Sequence, residues 1–164
     1  MKQDEIVALC APNIVAVDSK SKKPIWQSNL DIFENAKDIY SRFEITLKYF
    51  PSAAIYGVYR SSFLKKTNLL PRVIAGDMIF IQELALHGTF KSENKVLFYR
   101  IAREKWNNKN QDYMNFYGVP KKPFYVSPFY VMFIAQSKML LKAKIKNLQK
   151  PKLLYILIKY RSEE

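Results

Sequence analysis

Met78 to His87 reads Met-Ile-Phe-Ile-Gln-Glu-Leu-Ala-Leu-His, and Gly88 follows it. In a helix, Met78, Ile79, Phe80, Ile81, Leu84, Ala85 and Leu86 would cover most of the circumference. Such a helix has no broad wet face, so other elements must surround it. Asp77, after Gly76, is placed to cap its start, and Gly88 occupies the usual position just past a helix end. The rest of the chain therefore has to supply the walls around this segment.

Residues 6–17 carry apolar runs on either side of Pro12-Asn13 and read as two short strands, followed by a polar turn at Ser19–Pro24. Residues 34–49 place Ala36, Ile39, Tyr40, Phe43 and Leu47 at mostly helical spacing, with Pro51 as the stop. Ala53 to Tyr59 is aromatic and β-branched and reads as a strand interrupted by Gly57. Phe90 leads into a further strand near Lys95–Ile101. Residues 106–112 are polar, and Pro120, Pro123 and Pro128 punctuate an aromatic stretch. Residues 129–148 and 152–161 read as two basic, apolar helices parted by Pro151.

At 164 residues and 49% apolar composition, the chain is long enough to bury a core and is not a disordered polymer. Its one cysteine, Cys10, lies in an apolar run and cannot form an internal disulfide. A core residue in a reducing compartment is expected. There is no signal-peptide pattern, and the longest nearly apolar stretch, Pro123 to Ala135, falls short of the ~20 residues that span a bilayer. An intracellular, non-transmembrane chain is expected. The net charge of +13 is uneven: from Lys121 to Glu164 there are ten Lys and Arg against two acids. An anionic partner would meet that end.

Glycine-rich phosphate loops, paired-cysteine zinc spacing and a nucleophile elbow with a histidine partner are all missing from the sequence. A more specific pattern remains. Tyr56-Gly57-Val58-Tyr59-Arg60 runs toward Ser61–Leu64; Ala75-Gly76-Asp77 and Glu83-Leu84-Ala85-Leu86-His87-Gly88 follow; Val96-Leu97-Phe98-Tyr99-Arg100 closes the block. In order and spacing, this block resembles the C-terminal half of bacterial family 2 glycosyltransferases, the inverting enzymes that build surface polysaccharides. Val15-Ala16-Val17-Asp18 and its turn resemble the strand and turn just after that family's donor site. The resemblance covers roughly residues 6–103. It implies an α/β chain, the C-terminal part of a nucleotide-sugar (GT-A type) fold, with residues 1–120 as the acceptor-side part and 121–164 as a basic helical tail.

The resemblance implies that Asp77 is the base. In inverting transfer an acceptor hydroxyl attacks the anomeric carbon while the nucleoside diphosphate leaves, and one carboxylate must take the hydroxyl proton. A plain helix cap would also explain an Asp here, and the sequence leaves both readings open. Tyr56, Gly57 and Arg60 fall on the acceptor side by the same resemblance. Arg60 could hold a substrate oxygen or a local carboxylate. Arg100 and Arg103 could face the leaving diphosphate, because a guanidinium matches phosphate oxygens. Glu83 is expected on the polar side of its helix as a structural partner. His87 is expected to interact, protonated, with the helix dipole.

Two departures bear on the reading. The family's donor half ends in an Asp-x-Asp that holds Mg²⁺ or Mn²⁺ against the diphosphate, and this sequence has no Asp-x-Asp. Many members also place a His shortly after the Tyr-Arg strand, where this chain has Ile101-Ala102-Arg103. No cofactor and no metal ligands are therefore expected in this chain alone. The expected partners are a sugar nucleotide and a glycan or lipid-linked acceptor, in the context of a complete enzyme.

In the tail, Phe124, Tyr125, Phe129, Phe133, Leu140 and Ile145 interleave with Lys138, Lys142, Lys144 and Lys146. That pattern suits either a helix lying on an anionic membrane surface or a helical pair packed on protein. On the first reading the chain is cytoplasmic and peripheral on the inner face of the plasma membrane. Two rivals remain: a basic nucleic-acid-binding module, given the charge and the aromatics, and a non-catalytic interaction protein derived from the transferase fold.

Overall fold

In the computed structural model, which describes residues 6–28, 30–49, 52–73, 75–102 and 128–162, the sheet is built on one long strand, β1 (Val7–Val17). Its β-branched residues suit a pleated surface. The strand is continuous, whereas the sequence suggests two. Pro12 and Asn13 mark register slips rather than a break. Along one edge β1 pairs in parallel with β4 (Thr89–Ile101), from Val7 opposite Thr89 to Val17 opposite Ile101. Its other edge is shared by two short antiparallel strands. β3 (Val58–Tyr59) pairs at Leu9 and Cys10, and β2 (Pro24–Gln27) pairs at Val15 to Val17. Pro12 falls in the gap between them, where a missing N–H costs least.

Side chains complete the hydrogen bonding in that gap. The Ile14 N–H donates to Ser28 Oγ at 2.8 Å, the Ser28 N–H donates to the Ile14 carbonyl at 2.9 Å, and the Leu30 N–H donates to Asn13 Oδ1. Both polar residues are buried, so these bonds offset their desolvation. The expected strand over Ala53–Tyr59 is a 3₁₀ turn, Ser52–Tyr56, followed by the two residues of β3.

Helix α1 (Ile39–Tyr49) begins later than its apolar period suggests, because Asp38 caps it by accepting from the Tyr40 and Ser41 N–H groups. A single turn, α2 (Ser61–Leu64), leads toward α3 (Gly76–His87). Helix α3 is buried as expected, and two walls surround it. Phe80, Ile81, Leu84 and Ala85 pack with Ala8, Leu9, Ala11, Phe63 and Phe90 on the sheet side. Ile79 and Leu86, on the other flank, pack with Phe43 and Leu47 of α1 and with two C-terminal helices, α4 (Pro128–Lys142) and α5 (Lys150–Ser162).

The C-terminal segment is therefore integrated into the fold. Leu140, Leu153 and Leu157 are fully buried against α1 and α3, and none of the three is free to enter a bilayer. Pro151 lies in the first turn of α5, where its missing N–H breaks no helical bond, and the preceding helix already ends at Lys142. A buried chain of amides links the layers: Gln136 Nε2 donates to Gln82 Oε1 at 2.9 Å, and Arg161 donates to Gln136 Oε1. The architecture is an α/β fold with a mixed sheet. No helix among the described residues is long and apolar enough to cross a membrane.

Candidate functional site

Helix α3 places the candidate base. Its entry is Ala75, held in the left-handed region at φ 53, with no side-chain capping bond. Gly76 follows as the first helical residue. An added Cβ there would come 2.3 Å from the Pro71 carbonyl oxygen, so only glycine fits. Asp77 is therefore inside the first turn rather than at the cap, which corrects the expectation that it caps the helix. It is partly exposed, and its Oδ1 accepts from the Met78 N–H at 2.9 Å. Its Oδ2 makes no hydrogen bond to a described residue. A carboxylate in this position is favoured by the helix dipole.

The other expected residues divide into two groups. Gly57 is explained by packing: a Cβ would come 2.5 Å from Leu9 Cδ1 and 2.7 Å from the Cys10 carbonyl. Arg60 turns inward, its Nε donating to the Val7 carbonyl at 3.0 Å, so part of its guanidinium serves the β1–β3 junction and not a substrate. Tyr56 and Arg100 are more accessible. Tyr56 stacks on Phe98 with ring centroids 4.6 Å apart, and Arg100 lies over the Trp26 ring at 5.7 Å. Phe98 and Arg100 are two apart on β4 and share one sheet face, with Ile14 and Ala16 of β1 beside them. Arg103 lies outside the described residues, as do Phe124 and Tyr125.

Phe98 and Trp26 went unassigned in the sequence reading. Period-two spacing would place Phe98 beside Arg100, but nothing local pairs Trp26 with a strand more than seventy residues away. No hydrogen bond or ring contact among the described residues joins Asp77 to Tyr56 or Arg100. Cys10, expected in the core, is only partly buried, with a free thiol.

Glu83 is not on a polar side. It is 2% exposed, its Oε2 accepts from the Asn68 N–H at 2.9 Å, and its Oε1 accepts from Asn68 Nδ2 at 2.6 Å. Burial raises its pKa, and the two Asn68 bonds hold it back in part. The structural-partner expectation stands, but on the buried side. Glu83 also lines a cavity of about 220 Å³ between the loop after α2 and helix α4. Asp77 does not line it.

His87 departs from expectation as well. Burial, followed by the neighbouring cations Lys66, Arg42 and Lys144, lowers its pKa to about 4, so it is neutral at pH 7 and has no charge to offer the dipole. Its Nε2 is buried without a partner among the described residues. Arg42 serves the end of α3 instead, its Nε donating to the Ala85 carbonyl at 2.7 Å.

Among the described residues, no three His, Cys, Asp or Glu side chains come together to hold a metal ion. No family model matches the chain, and neither does a curated protein or a solved structure.

Proposed function

We propose that this chain is the acceptor-side part of an inverting sugar transferase, with Asp77 as the base. The observation that carries the reading is the seat of Asp77. A glycine that no other residue can replace, preceded by a left-handed residue, sets this carboxylate in the first turn of a buried helix with one oxygen bonded to none of the described residues. Such a group is rigid in position yet open to a hydroxyl. In the transfer, the acceptor oxygen bonds to the anomeric carbon, the bond from that carbon to the diphosphate oxygen breaks, and the hydroxyl proton passes to Asp77 Oδ2. The half-exposed rings of Tyr56, stacked on Phe98, and of Trp26, under Arg100, supply the kind of surface edge on which a sugar ring rests.

Calorimetric titration tests the acceptor-side assignment. The chain is expected to bind oligosaccharides weakly but saturably, and nucleoside diphosphate-sugars with Mn²⁺ very weakly. A low-micromolar dissociation constant for a sugar nucleotide would overturn the assignment. Tight binding of single-stranded RNA without any oligosaccharide binding would favour the nucleic-acid rival. Where this segment is joined to an Asp-x-Asp half, Asp77→Asn is expected to lower turnover at least about 100-fold, in the range for general-base loss, with stability lowered by no more than the ~0.3–1 kcal/mol of the helix dipole. Undiminished turnover would remove Asp77 from the chemistry.

A further inference from the structure

The cavity beside Glu83 is independent of the Asp77 proposal. Its walls are mostly apolar: Ile79 of α3, Leu69, Pro71 and Val73 of the preceding loop, and Ala135 and Met139 of α4. Its volume of about 220 Å³ exceeds the ~150 Å³ at which a dry apolar cavity already accepts benzene, so it has room for a short run of methylenes. The polar groups on its inner side are satisfied, because both Glu83 oxygens are taken by Asn68. They ask for no ligand atom.

The charge lies elsewhere. Lys138 and Lys142 line the same cavity and are exposed. They are four residues apart on α4 and therefore on one helix face, with apolar stems along the wall and ammonium groups free to reach water. Neither forms an ion pair with a described residue. The loop wall is also held in an unusual conformation. Leu69, a bulky residue, has a left-handed φ of 61, and the same segment ends on Ala75 at φ 53. Such conformations persist where surrounding contacts over-determine them, and ligand clamps are one such place.

We infer that this cavity binds a single-chain amphiphile with an anionic head, the chain along Leu69, Pro71, Val73 and Ala135 and the head against Lys138 and Lys142. The apolar walls select the chain and the two exposed lysines select the sign of the head. A cationic amphiphile of equal length gains only the first of these.

Binding of octyl phosphate, octanol, octyltrimethylammonium and inorganic phosphate to the intact chain, each below any micelle concentration, tests this. Octyl phosphate is expected to bind at least about tenfold tighter than octyltrimethylammonium, and inorganic phosphate not measurably. The double variant Lys138→Gln, Lys142→Gln is expected to lose that preference while still binding octanol as before. Ala135→Phe fills the cavity and is expected to abolish both octyl phosphate and octanol binding. If Ala135→Phe fails to fold, the lysine double variant decides alone. Equal binding of the two charged amphiphiles would overturn the inference, as would inorganic phosphate matching octyl phosphate, or binding to anionic vesicles with no saturable binding of the free amphiphile.

Discussion

Helix α3 has two walls built by different rules. On the sheet side the backbones approach closely. Ala8, Ala11, Ala54 and Ala85 are all nearly fully buried, and neither Gly57 nor Gly88 has room for a methyl group. A Cβ on Gly88 would come 2.6 Å from the Ile6 carbonyl and 2.8 Å from Ala8 Cβ. On the helix side the space is filled by long side chains, Phe43, Leu47, Met132, Met139, Leu140, Leu153 and Leu157. The close approaches at Gly57 and Gly88 on the sheet side are limited by what cannot be added, and the helix side by what cannot be removed. A dense interior is sensitive to both errors, but different residues carry the sensitivity.

The largest effect expected is on the helix side. Leu157→Ala removes a fully buried side chain and leaves a cavity, and it is expected to cost about 2–5 kcal/mol, read from the urea midpoint. Because α3 belongs to both walls, far-ultraviolet dichroism and tryptophan fluorescence should report one transition. Two separate transitions would show that the walls are independent units and would break the comparison. Next comes a contrast between the sides. Gly57→Val is expected to cost about 3 kcal/mol by overpacking against Leu9 and Cys10, while Met132→Leu, which keeps volume, costs less than about 1.5 kcal/mol. Similar costs for the two would erase the distinction.

The smallest effect concerns pH. The folded state holds His87 near pKa 4, below its ordinary 6.5, so the unfolded chain takes up the proton first as pH falls. Stability is therefore expected to decline from about pH 6.5 to about pH 4 and then stop declining on this account. Glu83 acts in the opposite sense, since its raised pKa makes the folded state the better proton acceptor in acid. Comparing His87→Leu with the parent isolates the first contribution: the variant's unfolding midpoint should fall less steeply over that window. An unchanged slope would mean that His87 is more hydrated than its burial indicates. Because His87 is the only histidine, its ring protons also give the titration directly by NMR.

How much was legible beforehand depends on range. The burial of α3 could be read from Met78 to Leu86, because a helix's period is local. The helix also ends at Gly88 as expected, but Gly88 is extended there and its lack of a side chain answers to Ile6 and Ala8, some eighty residues back. A period of the same local kind overran at α1. The apolar period extends back to Ala36, but Asp38 starts the helix, and its bonds to the Tyr40 and Ser41 N–H groups are only two and three residues long. That cap was available in the sequence and was outweighed by the period. Reading β1 as two strands was a similar case: Pro12 interrupts a lone strand, but not one whose neighbour is absent on one side at that point.

The amino-acid sequence by itself determined that a helix from Met78 onward must be enclosed, that a mixed α/β chain would enclose it, and that an acidic residue would stand near its start. Tertiary structure decided the rest. Gly76 is obligatory because of a carbonyl five residues back, Glu83 is buried because Asn68 satisfies both its oxygens, and Tyr56 finds Phe98 across β1. The basic C-terminal helices turn Leu140, Leu153 and Leu157 onto α1 and α3, although their pattern alone suited a membrane surface equally well. An amphipathic stripe states that an apolar surface must be covered; which surface covers it depends on parts of the chain a hundred residues away.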